Sequence, residues 1–185
     1  MVAAVLSATA EELGRVGYGA MRIEAVAQRS GVNKTTIYRR WPNKPELVAA
    51  ALRELAAYPD DIPDGRLRDQ LIGHYRATRD WFQTPLGLGI ARMIQIERGR
   101  EPDLDAILRE KRANHRNVRA EIVADGVERG ELPPDTDPEL LSELMSSVII
   151  NRLIHYREPV TDAFIERVVD VVLAGARETY GAPQG

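Results

Sequence analysis

The sequence predicts an all-α protein of about nine helices, with a small helical domain at the N-terminus and a larger one after it. Apolar residues recur at spacings of three and four along most of the chain, and no segment alternates apolar with polar residues between hairpin turns. Clusters of Gly, Pro and Asp separate the apolar segments. At 185 residues, 44% hydrophobic and 29% charged, the chain has the size and composition of a globular protein with a substantial core.

Four helices are predicted in the first third of the chain. The first should stop at Gly17–Gly19, and its apolar face consists of Val2, Val5, Leu6, Leu13 and Val16, with Thr9 as the polar interruption. Short helices are predicted over residues 23–29 and 34–41, and a longer one over residues 47–58. The segment Pro59–Gly65 follows and is the strongest candidate for a break between domains.

Five further helices are predicted after this break. Their approximate ranges are residues 67–82, 84–99, 103–128, 137–156 and 161–180. Thr84 followed by Pro85 fits an N-cap with proline at the first helical position. Gly130 is expected to end the third of these helices.

The last two predicted helices are apolar over more than one face. A helix that packs on one side needs an apolar arc of only about 100°. The apolar residues of the first helix are Leu140, Leu141, Leu144, Met145, Val148, Ile149, Ile150, Leu153 and Ile154, and those of the second are Phe164, Ile165, Val168, Val169, Val171, Val172 and Leu173. The apolar surface beyond such an arc must be buried against something else. The periodicity leaves two interpretations open: a central core, or a subunit interface in which this pair meets its symmetry mate as a four-helix bundle.

Composition excludes several classes of protein. There is no cysteine, and no apolar run reaches the roughly 18–20 residues that span a bilayer. The first residues lack the basic start of a signal peptide, so we expect a cytoplasmic protein with no membrane partner. No nucleophile elbow, phosphate loop or paired His-carboxylate motif is present, and no histidines have metal-ligand spacing. We therefore expect no enzyme, no cofactor and no metal site.

Positive charge is concentrated at the N-terminus, although the net charge is −3. Residues 1–46 carry a local charge of +3, which leaves −6 for the remainder. The basic side chains are Arg15, Arg22, Arg29, Lys34, Arg39, Arg40 and Lys44, against Glu11, Glu12, Glu24 and Glu46. Nucleic-acid affinity depends on such local charge rather than on the charge of the whole chain.

The segment from Ile23 to Trp41 has the pattern of a helix-turn-helix. Val26 and Ala27 should face inward, Gly31 can adopt the positive φ of the turn, and Ile37 can fill the angle between two short helices. The second of these helices would enter the major groove of DNA.

These residues resemble the N-terminal domain of the TetR family of transcriptional regulators. The resemblance covers Val5–Leu52 and includes Gly17-Tyr-Gly-Ala20, Ile23-Glu-Ala-Val-Ala-Gln-Arg-Ser-Gly-Val32 and Asn33-Lys-Thr-Thr-Ile-Tyr-Arg-Arg-Trp-Pro-Asn-Lys-Pro-Glu-Leu47. It implies a DNA-binding domain at residues 1–46 and a helical effector-binding and dimerisation domain at residues 47–185. It also implies a ligand-responsive repressor that binds a pseudopalindromic operator as a homodimer, through helices at about residues 138–156 and 162–180.

The resemblance suggests individual DNA contacts. Lys34 and Lys44 are expected to contact phosphates. Thr35 and Thr36 are short enough to approach base edges, and Arg39 has the shape to bind guanine O6 and N7. The remaining candidates are Arg22, Asn33, Tyr38 and Arg40. Arg22 replaces the family's usual threonine and would bind a phosphate. Packing is the alternative role for Tyr38, and a phosphate contact is as reasonable as a base contact for Arg40. Ile37 and Trp41 are assigned to the core, and Asn43 with Glu46 to a capping box.

An effector pocket is expected in the second domain, for an unidentified small molecule. The candidate lining residues are His74, Trp81, Met93, Gln95 and His115, although a histidine on an apolar stripe is more often an ordinary core residue. A nonspecific or architectural DNA-binding protein is the alternative function, and it would lack a footprint with the spacing of a dimer.

Overall fold

The computed structural model describes residues 1–55, 64–96 and 118–181, and those residues form helices and no strand. The helices are α1 (Val2–Ala20), α2 (Ile23–Ser30), α3 (Lys34–Arg40), α4 (Lys44–Leu55), α5 (Leu67–Phe82), α6 (Pro85–Ile96), α7 (described over 118–128), α8 (Pro138–Ile150) and α9 (Asp162–Gly181). The predicted all-α fold is confirmed. Residues 59–63 of the predicted breaker Pro59–Gly65, and the first part of the helix predicted over residues 103–128, lie outside the described residues.

Polar side chains fix several helix starts where the sequence predicted them. The hydroxyl of Thr84 accepts a hydrogen bond from the backbone N–H of Gly87 at 3.1 Å, ahead of α6. Asp137 does the same for Leu140 at 3.1 Å, ahead of α8. These contacts satisfy backbone donors that have no partner inside the helix, and both starts are confirmed.

Two helix ends differ from the sequence prediction. The backbone of α1 breaks at Gly17, at φ 76° and ψ 170°, but one further turn continues to Ala20, because Met21 N–H donates to the carbonyls of Gly17 and Tyr18. The helix predicted to reach Tyr156 is α-helical only to Ile150 and continues as a π-helix over Asn151–Tyr156. The helix predicted to stop at Gly17–Gly19 therefore ends at Ala20, and the α-helix predicted to reach Tyr156 changes to a π-helix after Ile150.

The helices form two compact units. The first unit contains α1–α4, α6 and the last two residues of α5, and the second contains α5 through Asp80 together with α7, α8 and α9. These units do not test the predicted boundary between the DNA-binding and effector domains at residues 46 and 47, which stays a prediction.

The core of the first unit is built on the apolar face of α1. Leu13, Val26 and Ile37 are fully buried and belong to one apolar cluster, which also includes residues of α4 and α6. The cluster therefore holds the two short helices α2 and α3 against longer ones, which short helices need because they are not stable alone.

The second unit has its own core, reinforced by ion pairs between α5 and α9. Tyr75, Met145 and Val169 are fully buried in one apolar cluster. Outside it, Arg68 binds Asp170 at 2.6 Å and Arg76 binds Glu166 at 2.7 Å. Arg79 extends this row by pairing with Asp162 near the start of α9. The row fixes the register of the two helices.

Candidate nucleic-acid interface

A tight turn joins α2 to α3. Gly31 lies in the left-handed region at φ 68°, and the backbone N–H of Val32 donates to the hydroxyl of Ser30 at 3.3 Å. Any residue with a Cβ is strained at that φ, so glycine is the natural occupant. Val26 and Ile37 are fully buried on either side of the turn. The predicted helix-turn-helix geometry is confirmed.

The outward face of α3 consists of polar and basic side chains. Exposed residues of this helix are Lys34, Thr35, Tyr38, Arg39 and Arg40, and Thr36 is half-buried. Ile37 and Trp41 are buried in the core, as predicted. The structure therefore brings the six predicted contacts of α3 onto the solvent-facing side of one short helix.

Asn33 caps α3. Its side-chain oxygen accepts a hydrogen bond from the backbone N–H of Thr35 at 2.8 Å. This contact stabilises the first turn of the helix that would enter a groove. The cap accounts for Asn33 by itself, and the predicted DNA contact of Asn33 stays a prediction.

Lys34 lies between a carboxylate and an aromatic ring. Its ammonium group pairs with the carboxylate of Glu24 in α2, and it lies 5.4 Å from the centroid of the Tyr38 ring. The hydrogen bond to Glu24 raises the pKa of Lys34, and the same bond lowers the pKa of Glu24. A phosphate would have to replace Glu24 as the partner of this lysine.

Lys44 is half-buried and bound to the end of α1. Its ammonium group donates to the carbonyl of Tyr18 at 2.9 Å and to that of Gly19 at 3.4 Å. It also lies 4.3 Å from the centroid of the Tyr18 ring. A cation is favourable at the C-terminus of a helix, where carbonyls lack partners. Lys44 thus has a structural role beside its predicted phosphate contact.

Asn43 and Glu46 form the predicted capping box ahead of α4. The backbone N–H of Glu46 donates to the Asn43 side-chain oxygen at 2.9 Å, and the Asn43 amide donates to the Glu46 carboxylate at 2.7 Å. The reciprocal pair orients the first turn of α4 next to Lys44.

Glu12 is a buried carboxylate that sequence reasoning missed. It lies in α1, is 2% exposed and accepts hydrogen bonds from Arg15 at 2.7 Å and from Arg29 at 3.4 Å. The Arg15 hydrogen bond, with further help from Arg29, lowers the pKa of Glu12 despite its burial. Arg29 belongs to α2, so the contact ties α2 to α1. The sequence signal was an acidic residue directly before Leu13 on the apolar face of α1.

These ion pairs divide the basic residues of the first 46 positions into two groups. Arg15, Arg29 and Lys34 pair with carboxylates. The other four have no carboxylate partner within the described part of the chain: Arg22, Arg39, Arg40 and Lys44. Arg22 is exposed and precedes α2, and Arg40 lies 5.5 Å from the centroid of the Trp41 ring. The positive field of this surface therefore comes from four predicted contact residues.

The structure describes the side chains of only two of the five predicted effector residues, His74 and Trp81. His74 is buried in the second unit, where burial and the charge of Arg119 lower its pKa to about 4. Trp81 is half-buried and packs against the core of the first unit. The two residues belong to different units. The side chains of Met93 and Gln95, and the whole of His115, lie outside what the structure describes.

Two buried polar residues beside His74 were not among the predicted site residues. Arg119 is 8% exposed, and Thr78 is fully buried one turn after His74 in α5. The spacing of Arg119 to Ile122 and Val123 would have placed it on the buried face of α7. Among the described residues, the structure contains no group of three metal-ligating side chains and no helix long and apolar enough to cross a membrane.

Comparison with known families matches nearly the whole chain. Residues 5–51 match the family described as bacterial regulatory proteins, tetR family. Residues 61–172 match the tetracyclin repressor-like C-terminal domain. The two matches cover the helix-turn-helix and most of the second unit.

Similar proteins include curated and structurally solved regulators. The DNA-binding transcriptional repressor TetR of Mycobacteroides abscessus is 34% identical over 173 residues, which cover 92% of this chain and 90% of that protein. The crystal structure of the TetR family transcription regulator SCO0332 is 32% identical at a TM-score of 0.66, covering 94% of this chain and 96% of that one. CifR in complex with a 26-base-pair operator DNA is 18% identical at a TM-score of 0.75, over 94% and 95% of the chains, which supports the fold.

Proposed function

Because the chain belongs to the TetR family of bacterial regulatory proteins, a family of DNA-binding transcriptional regulators, we propose that it is a ligand-responsive repressor. It binds a pseudopalindromic operator as a homodimer and leaves that operator when a small molecule occupies its second domain. The DNA-binding domain comprises residues 1–46 and the effector and dimerisation domain residues 47–185. Since its target is the bacterial chromosome, we place its action in the cytoplasm.

The outward face of α3 carries this proposal. Thr35, Tyr38 and Arg39 are exposed on the helix whose opposite side holds the fully buried Ile37. A second helix so presented has the geometry to enter a major groove, about 12 Å wide. Its short threonines allow close approach, and Arg39 extends to base edges. Lys34 at the start of this helix, and Lys44 and Arg22 outside it, would contact phosphates.

A second copy of the chain is proposed to cover the exposed side of α8 and α9. Leu140, Leu144 and Val148 are 44%, 48% and 49% exposed and lie four residues apart along α8. Val171 of α9 is also exposed. Leu141, Met145 and Ile149 occupy the buried side of α8, so the apolar surplus predicted from the sequence faces solvent in one copy. Such a continuous apolar stripe is typical of an isologous interface.

Release by a ligand follows from differential binding. A small molecule that prefers one spacing of the two DNA-binding domains lowers operator affinity by its preference for that state. A coupling of about 1–3 kcal/mol changes operator occupancy roughly 5- to 150-fold. Repression rather than activation is proposed by analogy with the repressor of Mycobacteroides abscessus.

Selection of bound sequences from a random DNA pool tests the function directly. The purified chain should enrich a pseudopalindrome whose half-sites lie about one or more helical turns apart. Nuclease footprinting of the enriched DNA should protect both half-sites at the same protein concentration. Thr35→Ala, Arg39→Ala and the exposed control Glu54→Ala, which lies on α4, should be compared on that DNA, with loss of enrichment confined to the first two.

A nonspecific DNA-binding protein would behave differently in the same selection. It would retain the pool without enriching any sequence, and its footprint would have no two-fold spacing. That result would refute the proposed repressor even if affinity for DNA were high.

A further inference from the structure

Three buried polar residues of the second unit form a cluster around His74. His74 and Thr78 are four residues apart on α5, so their side chains share a face of that helix. Arg119 of α7 is close enough for its charge to act on His74. None of the three is more than 8% exposed.

Arg119 is a buried cation without a counterion in the described residues. At 8% exposure, its guanidinium forms no ion pair with a described carboxylate, and its Nε has no hydrogen-bond partner. A buried charge normally has a partner, since removing it from water is costly. Even the exposed Arg129, ten residues further along the chain, has such partners: it binds Glu131 and Gln70.

Thr78 adds a second unused polar group. Its hydroxyl is buried and has no hydrogen-bond partner within the described residues. Thr9 is equally buried in α1, yet its hydroxyl donates to the carbonyl of Val5 at 2.7 Å. The hydroxyl of a helical threonine can therefore donate to the carbonyl four residues earlier, and the hydroxyl of Thr78 does not do so.

His74 contributes no charge to this cluster near neutral pH. Burial, with a smaller contribution from the charge of Arg119, lowers its pKa to about 4. The cluster therefore carries a single positive charge, that of Arg119. A ligand with one negative charge would balance it.

We propose that the effector of this regulator is a small organic monocarboxylate whose carboxylate pairs with Arg119 and lies beside the hydroxyl of Thr78 and the ring of His74. The inference rests on the proposed function, which it deepens by naming the chemical class of the ligand. The planar guanidinium matches a carboxylate in shape and forms charge-assisted hydrogen bonds with it.

Charge balance selects this class among small ligands. A phosphate monoester carries nearly two negative charges at neutral pH, so one would stay unbalanced beside a single arginine. A neutral amide would bring no anion to the buried guanidinium. A carboxylate carries one negative charge, so it supplies an anion to Arg119 and leaves no charge unbalanced.

The test uses the full chain and pairs of matched probes. Linear carboxylic acids from acetate to dodecanoate, and benzoate, are compared with their primary amides. Thermal unfolding is measured without DNA, and release of the selected operator is measured by fluorescence anisotropy. The variant is Arg119→Met, and the control is Arg177→Met, which changes an exposed arginine of α9 in the same unit.

At least one acid should raise the unfolding temperature and lower operator affinity roughly 5- to 150-fold, whereas its amide does neither. Arg119→Met should abolish both responses and unfold at a higher temperature than the wild type without ligand, because an apolar side chain replaces a buried charge that has no ion-pair partner among the described residues. Arg177→Met should keep both responses.

Three results would overturn the inference. The first is that acids and their amides act equally on unfolding temperature and operator affinity. The second is that Arg119→Met lowers the unfolding temperature and keeps the response to the acid. The third is that no acid produces a response while operator binding is intact. Loss of operator binding by the wild type would instead refute the proposed function, and thermal unfolding without DNA would still decide the ligand class.

Discussion

The ammonium group of Lys34, the first residue of α3, contacts the carboxylate of Glu24, the second residue of α2. Both side chains are exposed, and their hydrogen bond raises the pKa of Lys34 while it lowers that of Glu24. A lysine at the start of a recognition helix is placed to contact a phosphate. In the free protein that charge is already balanced by Glu24, so DNA must compete with a neighbouring carboxylate.

Glu24→Gln should therefore strengthen DNA binding. The change frees Lys34 and removes a negative charge near the DNA, and the gain should be no more than about fivefold because exposed ion pairs are weak. It should be equal for operator and random DNA, since no base contact changes. Titrations with both DNAs measure it, with Glu54→Gln on α4 as the control. A gain confined to the operator would mean that Glu24 affects base recognition instead.

Arg39→Ala should reduce sequence preference at particular positions of each half-site. Arg39 is exposed and forms no ion pair within the described residues, so its guanidinium is available to a base edge. A bidentate contact to guanine contributes about 1–3 kcal/mol of discrimination. Competition between the operator and single-base variants measures this loss, and Arg40→Ala is the matched comparison. A uniform loss across all sequences would assign Arg39 to a phosphate.

The helix-turn-helix could be predicted because its determinants are local. Gly31 and the apolar Val26 and Ile37 lie within twelve positions, and each has the conformation or burial that the pattern required. The ionic partners could not be predicted in the same way. Glu24 and Lys34 are ten residues apart on different helices, and periodicity within one helix contains no information about such a contact.

Lys44→Ala should change both stability and DNA binding. Loss of the hydrogen bonds to the carbonyls of Tyr18 and Gly19 should lower the unfolding temperature, because these carbonyls lie at the end of α1. Loss of a phosphate contact should also reduce the slope of log affinity against log salt by about one unit. Thermal unfolding and a salt titration separate the two effects. An unchanged slope with reduced stability would leave Lys44 with a structural role alone.

Leu144→Lys should convert the dimer to a monomer and abolish cooperative operator binding. Leu144 lies in the middle of the exposed stripe of α8, and a lysine there would place a charge in an apolar interface. Sedimentation equilibrium measures the oligomeric state. Leu88→Lys is the matched control, since Leu88 in α6 is 43% exposed against 48% for Leu144. A dimer that survives Leu144→Lys would place the interface elsewhere.

The second unit shows why buried polar residues are hard to interpret from sequence. His74 could be assigned to an inward stripe of α5, but that stripe alone leaves open whether a histidine serves the core or a ligand. Whether the histidine serves the core or a ligand depends on which side chains of other helices lie next to its ring. Arg119 is 45 positions away in α7, and only the fold brings the two side chains close.

Replacement of His74 should also remove part of the acid sensitivity of the protein. In the folded chain the pKa of His74 is about 4, because burial and the charge of Arg119 disfavour the protonated ring, whereas in the unfolded chain it has its ordinary value of 6.5. The unfolded state therefore takes up a proton as the pH falls through 6.5, and the folded state does so only near pH 4. The resulting stabilisation is complete above pH 6.5 and declines below it, by about 3 kcal/mol at pH 4.

Chemical denaturation of wild type and His74→Gln between pH 7.5 and pH 4 measures this loss. The free energy of unfolding should fall less steeply in the variant, since glutamine does not titrate, and the difference between the two curves should grow from pH 6.5 downward. His155→Gln, at an exposed position of the π-helix, should follow the wild-type curve. Parallel curves for wild type and His74→Gln would mean that the pKa of His74 is not lowered in the folded protein.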